Sequence, residues 1–309
     1  MKKLIPLLAL LTALVLPAAA LGETIVTSFF PIYIFARNLT QGIDGLEVVC
    51  LTPPSAGCLH DYQLQTGDMK RLAQADVFLI NGAGMEAYLS NVQEAFPTLP
   101  VVDASTGVEL LESCVEHHHD HGASEEEEDG DDHDHSHEVN AHIWLDASNA
   151  VIMVDNLAAG LTAQLPGHAD AIEANRAAYT ARLAALDTEM KATLADLPHA
   201  DVITFHEAFP YFAHAYGLNV AAVINRDPDD ALSPRQLAEL CKTVESLGAP
   251  PLFVEPQYED KAAQTISRET GAAIHTLDPI VTGPAAAPLT HYEDMMRQNL
   301  AVLLQALAE

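Results

Sequence analysis

Two runs of alternating strand and helix patterns, separated by a long helical stretch, constrain the fold of this chain most. Short β-rich segments alternate with helical ones from Glu23 to Asp103, and the alternation resumes from Asp201 to Leu307. Such alternation indicates βαβ units, whose strands pair into a parallel sheet. The sequence therefore predicts an α/β protein with two lobes.

The predicted strands are Thr24–Ser28, Leu46–Leu51, Val77–Asn81, Val101–Asp103, Asp201–Phe205, Val220–Ile224, Leu252–Glu255 and Ala273–Leu277. The predicted helices of the two runs are Pro31–Gln41, Thr66–Ala75, Met85–Phe96, Ala208–Tyr216, Ser233–Leu247, Asp260–Thr270 and His291–Leu307. Ligands of open parallel sheets bind at the carboxyl ends of the strands. We therefore expect a binding site in the cleft between the lobes.

The stretch between the two runs is rich in Ala, Leu, Glu and Arg and predicts helix. Pro166-Gly167 divides it into Ser148–Leu165 and a longer helix from about His168 to Leu197. An apolar stripe at helical spacing marks the longer helix through Leu183, Leu186, Met190 and Leu194. The predicted domains are an N-terminal lobe (21–147), linking helices (148–197) and a C-terminal lobe (198–309).

Residues 1–20 predict a secretory signal peptide. Lys2-Lys3 precede an apolar run, and Ala18-Ala19-Ala20 fit a cleavage site. The apolar run is shorter than the roughly 20 residues that span a bilayer. We expect export across the cytoplasmic membrane to the periplasm or the cell surface; no cysteine stands near the cleavage point to carry a lipid anchor.

The formal net charge of −30 at pH 7 limits the partners of this protein. Nucleic acid and anionic lipid would be repelled, because their binding needs clustered Lys and Arg. Divalent cations are the natural complement of such a charge.

A segment from Glu116 to Glu138 combines seven of the fifteen histidines with eleven carboxylates. Its few apolar side chains predict a disordered insertion. Imidazoles suit zinc, copper and nickel, and the carboxylates concentrate cations, so a low-affinity metal loop is one interpretation. A solvated acidic tether is the other. The histidines are His117, His118, His119, His121, His133, His135 and His137.

Four further residues share one context, a potential ligand just past a strand or at a helix entry. They are His60, His142, His206 and Asp278, two from each predicted lobe. Three imidazoles and one carboxylate complete a four-coordinate zinc shell. Each residue alone also fits a structural role, such as a hydrogen-bonded histidine or a helix-capping aspartate.

The four cysteines lack the C-x-x-C spacing of zinc ribbons and redox sites. A Cys50–Cys58 disulfide across a Pro-Pro turn, and a long-range Cys114–Cys241 pair, are compatible with export. A free Cys58 thiolate acting as a metal ligand is the alternative.

Six stretches, in this order, resemble the zinc-binding branch of the metal-specific solute-binding proteins of ABC importers, called cluster A-I or solute-binding family 9. They are His60-Asp-Tyr-Gln-Leu-Gln, Ala75-Asp-Val-Phe-Leu-Ile-Asn-Gly-Ala-Gly84-Met-Glu, His142-Ile-Trp-Leu-Asp146, Phe205-His-Glu-Ala-Phe-Pro-Tyr-Phe212, Phe253-Val-Glu-Pro-Gln257 and Leu277-Asp-Pro279. They span nearly the whole chain after the leader. One departure is Cys58-Leu59 ahead of His60, where the family usually has proline.

The resemblance implies two Rossmann-like lobes joined by a long, rigid backbone helix, with one metal in the cleft. The family's ligands carry over to His60, His142, His206 and Asp278. Manganese-binding members tend to have a carboxylate at the third position, so His206 favours Zn²⁺ over Mn²⁺. The implied partners are an ABC permease and its ATPase, and we expect a monomer without enzymatic activity.

Two other functions remain open from the residues alone. A secreted zinc hydrolase would use Glu207 as its base, but the H-E-x-x-H spacing is absent from the sequence. A zinc buffer or surface adhesin would need no permease. Asp146, Glu207 or Glu255 could orient a ligand imidazole, and a capping or surface role fits each of them equally well.

Overall fold

The strands and helices form two alternating runs on either side of a helical pair. The structure, a computed structural model, describes residues 22–53, 59, 62–113, 139–195, 197, 201–224, 232–258 and 261–307. The first run is β1 (Glu23–Thr27), α1 (Phe30–Leu39), β2 (Leu46–Cys50), α2 (Thr66–Leu72), β3 (Val77–Ile80), α3 (Leu89–Ala95) and β4 (Val101–Asp103). The helical pair is α4 (Ala147–Gln164) and α5 (Ala169–Leu194). The second run is β5 (Asp201–Thr204), α6 (Pro210–Tyr216), β6 (Asn219–Val223), α7 (Pro234–Ser246), β7 (Leu252–Val254), α8 (Lys261–Thr270), β8 (Ile274–Thr276) and α9 (His291–Ala306).

Each run forms a four-stranded sheet, and the two sheets have the same topology. Their strand orders are β2-β1-β3-β4 and β6-β5-β7-β8. All pairings in both sheets are parallel. In each sheet the direction of the chain connections changes between two neighbouring strands, β1 and β3 in the first sheet and β5 and β7 in the second. Such a change creates a crevice at the carboxyl ends of these strands. The predicted α/β fold of two Rossmann-like lobes with a long helix is confirmed.

The long helix α5 lies against elements of both halves. At about 1.5 Å per residue, its 26 residues extend for roughly 39 Å. It packs on α1 and α4 and also on α6 and α9. The predicted stripe of Leu183, Leu186, Met190 and Leu194 is buried, together with Ile172 and Tyr179. Because one long helix packs on helices of both halves, the relative position of the halves is restrained.

Direct contacts across the halves add to this restraint. Asn38 on α1 donates a hydrogen bond from Nδ2 to the carbonyl of Leu289 at 2.9 Å. Gly283 lies so close to the Phe30 ring that a Cβ at this position would come within 2.1 Å of Cζ. One apolar core includes residues of both sheets and of the central helices. Within the described ranges, no helix is long and apolar enough to cross a bilayer.

The structure corrects one predicted helix start. The sequence predicts a helix from Met85 to Phe96, but α3 begins at Leu89. Gly82, Ala83 and Gly84 have φ values of 77°, 51° and 81°, so the chain turns through left-handed conformations before it. A side chain at Gly82 would also collide with Asp103, at 1.9 Å from Oδ1. The turn therefore continues past the position where apolar spacing predicts helix.

The structure also bears on the predicted disulfides. Cys50 and Cys241 are free thiols, so the alternatives that paired them are not formed. Burial raises the pKa of the Cys50 thiol to about 11, which keeps it protonated. Cys58 and Cys114 lie outside the described residues, as do the predicted signal peptide 1–20 and the histidine-rich segment 116–138.

Candidate metal centre

Two of the predicted ligands, one from each half, meet in the interior. His142 precedes a short 3-10 turn (Ile143–Leu145), and His206 follows β5. Their Nε2 atoms are 3.3 Å apart, and the ring centroids are 5.1 Å apart. Two nitrogens bound to one tetrahedral zinc at its usual bond length lie about 3.3 Å apart. The separation therefore suits two ligands of a single ion.

A side-chain amide sets the orientation of His142. Asn140 Oδ1 lies 3.1 Å from His142 Nδ1 and accepts a bond from the His142 backbone N–H at 3.0 Å. An amide oxygen only accepts, so Nδ1 carries the proton and Nε2 keeps the lone pair that binds a metal. Asn140 Nδ2 also donates to the carbonyl of Glu207 at 2.8 Å, next to His206. Asn140 thus contacts both sides of the centre.

A carboxylate sets the orientation of His206. His206 Nδ1 forms a short hydrogen bond with Oε1 of Glu255, which follows β7 and is 2% exposed. Glu255 Oε2 accepts a bond from Gln257 Nε2 at 2.6 Å. The carboxylate holds the proton on Nδ1 and increases the basicity of Nε2 as a ligand. Among the described residues, Glu255 is the acidic candidate whose carboxylate contacts a predicted ligand histidine.

Among the described residues, the carboxylates of the other two acidic candidates contact serines. Asp146 is the N-cap of α4, and its Oδ1 accepts bonds from Ser148 N at 2.7 Å and Ser148 Oγ at 2.6 Å. Glu207 Oε2 accepts a bond from Ser113 Oγ at 2.9 Å. Asp146 therefore has a capping role, while Glu207 joins the two halves.

Asp278, the predicted fourth ligand, follows β8 in a buried turn. Its Oδ1 accepts a bond from Ile280 N at 2.7 Å, and its backbone pairs with the Asn299 side chain. Burial raises the pKa of this carboxyl, and the charge of Glu255 raises it further, while Ile280 N–H and His291 oppose the shift. The charge of Asp278 is thus disfavoured here, and a nearby cation would stabilise it.

Trp144, the single tryptophan, connects the His142 and Asp278 segments. Its Nε1 donates to the carbonyl of Pro279 at 2.8 Å, and its ring centroid lies 5.2 Å from that of His142. Tyr292 donates to the Trp144 carbonyl at 2.6 Å, and Phe29 packs edge-on at 5.1 Å. This fully buried aromatic wall excludes water from one side of the centre.

The loop after β3 supports the chain just before His142. Asn81 Nδ2 donates to the carbonyl of Ala141 at 3.0 Å. The Glu86 carboxylate accepts the backbone N–H groups of Asn81 at 2.8 Å and Gly82 at 3.1 Å. Burial raises the pKa of Glu86 to about 7 despite these bonds. The sequence does not reveal that Asn81 and Glu86 support the chain before His142, although both lie in a stretch that carries the family resemblance.

The structure brings together only part of the predicted ligand set. His60 and the seven loop histidines lie outside the described residues, although Leu59, the neighbour of His60, is buried. Among the residues that the structure describes, no group of three or more His, Cys, Asp or Glu side chains forms a metal cluster. The described portion supplies the His142–His206 pair, and the full quartet stays a prediction.

The fold and this pair define a class: two-lobed α/β proteins with a buried imidazole pair between the halves. The family model described as "Zinc-uptake complex component A periplasmic" (ZnuA) matches residues 25–306, so the chain belongs to that family. The family predicted from sequence is thereby confirmed. Its description is that of an uptake-complex component, which supports the prediction that the protein is not an enzyme.

Individual relatives agree with this assignment. The zinc-binding protein AdcA of Streptococcus pyogenes serotype M3 is 30% identical over 285 residues, covering 90% of this chain and 55% of AdcA. The chain thus spans about half the length of that relative. The high-affinity zinc uptake system protein ZnuA of Bacillus subtilis is 29% identical over 288 residues, covering 92% of this chain and 87% of the relative.

A solved structure gives the same fold. The solute-binding protein FpvC of Pseudomonas aeruginosa, in complex with Ni²⁺, is 27% identical with a TM-score of 0.76, covering 93% of this chain and 97% of FpvC. A second FpvC structure contains Mn²⁺.

Proposed function

We propose that this protein binds Zn²⁺ between its two halves, outside the cytoplasm, and delivers it to an ABC permease driven by an ATPase. The observation that carries the proposal is the pair of buried Nε2 atoms, 3.3 Å apart, on His142 and His206. Each imidazole has its Nδ1 atom held by an oxygen acceptor, which selects the tautomer that binds a metal. Membership in a family described as a zinc-uptake component supports the same ion.

The proposed shell is His60, His142, His206 and Asp278, with zinc as the cargo. Three nitrogens and one oxygen suit Zn²⁺ better than Mn²⁺, which prefers oxygen-rich shells. A closed shell leaves no ligand position for reactive water, in line with transport instead of hydrolysis. In this proposal, the seven histidines of segment 116–138 collect the ion at lower affinity.

The proposed route begins with export directed by residues 1–20. Residues 21–147 and 198–309 form the two lobes, and residues 148–197 link them. Because α5 packs on helices of both halves, we expect adjustment of local loops instead of a wide hinge closure when zinc binds. The protein is proposed to act as a monomer that docks on the permease.

Calorimetric metal titration of the protein without its leader tests the proposal. We expect one tight Zn²⁺ site. In His206→Ala the zinc affinity of this site should fall by more than the roughly 100-fold typical of residues that only orient a ligand. His214→Ala is the matched control, since His214 is an exposed histidine on α6. Imidazole nitrogens also bind nickel, so Ni²⁺ and Mn²⁺ are titrated in parallel.

Trp144 gives a second readout, because the single tryptophan lies beside His142. Its fluorescence should change in step with occupancy of the tight site. Tight zinc binding that survives His206→Ala would move the primary site elsewhere. Unchanged zinc uptake at scarce zinc in cells lacking the protein would contradict delivery to a permease and favour the buffer or adhesin alternative.

A further inference from the structure

One tyrosine hydroxyl joins the C-terminal half to both chain segments that flank residues 114–138. Tyr211 OH accepts a hydrogen bond from Leu111 N at 2.9 Å and donates one to the carbonyl of Asn140 at 2.8 Å. The two segments are also paired with each other, since Asn140 N donates to Leu111 O at 2.9 Å. Glu112 and Val139 form an antiparallel bridge beside this bond.

Tyr211 is well placed to hold this junction rigidly. It lies in the first turn of α6, which starts four residues after His206, and it is 2% exposed. Burial raises the pKa of its hydroxyl, which therefore stays protonated and able to donate. Tyr211 thus fixes the backbone of the Leu111–Asn140 pair relative to the C-terminal half.

The residue that Tyr211 holds is the one that orients His142. The Asn140 side chain contacts His142 Nδ1 at 3.1 Å and donates to the Glu207 carbonyl at 2.8 Å. A shift of Asn140 would move the His142 ring relative to His206. Binding sites need their side chains held within about 0.5 Å of the productive geometry, so such a shift has a functional cost.

We propose that Tyr211 is a positioning residue for metal binding, and that its hydroxyl sets the separation of the His142 and His206 imidazoles by anchoring Asn140. This inference rests on the proposed metal site, because Tyr211 would affect zinc binding only by holding Asn140 and, through it, His142. Tyr211 itself does not touch the ion. Removing its hydroxyl releases both Leu111 N and the Asn140 carbonyl from this anchor.

The test compares Tyr211→Phe with Tyr216→Phe. Tyr216 lies on the same helix, is buried, and its hydroxyl accepts a bond from Ala147 N at 3.2 Å. Both changes remove a buried hydroxyl that binds a backbone N–H, so both should lower the melting temperature of the metal-free protein. We expect Tyr211→Phe to weaken zinc binding about tenfold, the lower end for residues that orient a ligand. Tyr216→Phe should leave zinc affinity within about twofold of wild type.

A double-mutant cycle with Asn140→Ala separates positioning from general loss of stability. If Tyr211 acts through Asn140, then Tyr211→Phe should have little further effect on affinity once the Asn140 side chain is gone. Additive losses, or equal affinity losses in Tyr211→Phe and Tyr216→Phe, would overturn the inference. So would wild-type affinity in folded Tyr211→Phe protein.

A spectroscopic measurement gives an independent readout on the same variants. Co²⁺ bound in place of Zn²⁺ reports ligand geometry through its visible absorption, which we expect to change in Tyr211→Phe and not in Tyr216→Phe. An identical spectrum in Tyr211→Phe would contradict the inference. Failure of the proposed function looks different, because wild-type protein would then lack a tight zinc site that depends on His206.

Discussion

The two sides of the metal centre hold their imidazoles by different chemistry. On the N-terminal side, the neutral amide of Asn140 contacts His142 Nδ1. On the C-terminal side, the buried carboxylate of Glu255 contacts His206 Nδ1. Both partners fix the same tautomer, but only the carboxylate brings a charge.

This difference indicates a division of roles between the halves. The C-terminal side contributes Glu255 and the desolvated Asp278, whose pKa is raised partly by the charge of Glu255. Carboxylates that raise each other's pKa favour a nearby cation, which stabilises their charged forms. The N-terminal side supplies geometry through Asn140, which Tyr211 of the C-terminal half anchors, and through the Asn81–Ala141 bond. We infer that the charge of the ion is balanced mainly from the C-terminal half.

Among the residues that orient an imidazole, the largest expected effect comes from Glu255→Ala. The change removes the acceptor for His206 Nδ1 and a charge that balances the cation, so zinc affinity should fall about 100-fold, the upper end for such residues. Calorimetric zinc titration measures the loss. Glu239→Ala, at an exposed glutamate of α7 paired with Arg235, is the control and should be silent.

Glu255→Gln refines the same prediction, because it gives His206 a neutral amide partner like the one that Asn140 gives His142. It keeps an acceptor oxygen and removes the charge, so its affinity should lie between those of wild type and Glu255→Ala. If Glu255→Gln binds zinc as tightly as wild type, charge is unimportant and the contrast between the two sides is only geometric.

A smaller effect is expected from Asn140→Ala. The change removes the neutral acceptor for His142 Nδ1 and the bond to the Glu207 carbonyl, while no charge is lost. Zinc affinity should fall about tenfold in the same titration. Ser113→Ala is the control: it removes another bond between the halves, to Glu207, without touching a ligand imidazole. A loss for Asn140→Ala larger than that for Glu255→Ala would reverse the division of roles.

The contrast also shows what the sequence could and could not predict. Strand and helix positions followed from local alternation, and the ends of most elements fall within a few residues of expectation. The exception at Met85 arises because Glu86 accepts bonds from Asn81 and Gly82 and so belongs to a turn. Apolar spacing carries no information about such a side-chain bond.

The site was predictable to a different degree on each side. His142 and His206 were found because each lies where a strand ends or a helix begins, the edge where such sheets bind ligands. The sequence leaves Glu255 as one of three acidic candidates, and its contact with His206, across the neighbouring strands β7 and β5, identifies it. Asn140 and Tyr211 were missed because their role depends on bonds between residues about 70 positions apart.

The smallest effect on zinc is expected from Asp146, the acidic candidate that lies near His142 in sequence but caps α4. Asp146→Ala removes the acceptor for Ser148 N and should lower the free energy of unfolding by about 1 kcal/mol. Asp146→Asn keeps a good capping side chain and should retain most of that stability. Because neither change alters the partner of an imidazole, zinc affinity should stay within about twofold of wild type. Chemical denaturation and zinc titration of the two variants measure both quantities. A tenfold affinity loss in the stable Asn variant would show that the N-terminal side also contributes charge, and the contrast between the halves would then be wrong.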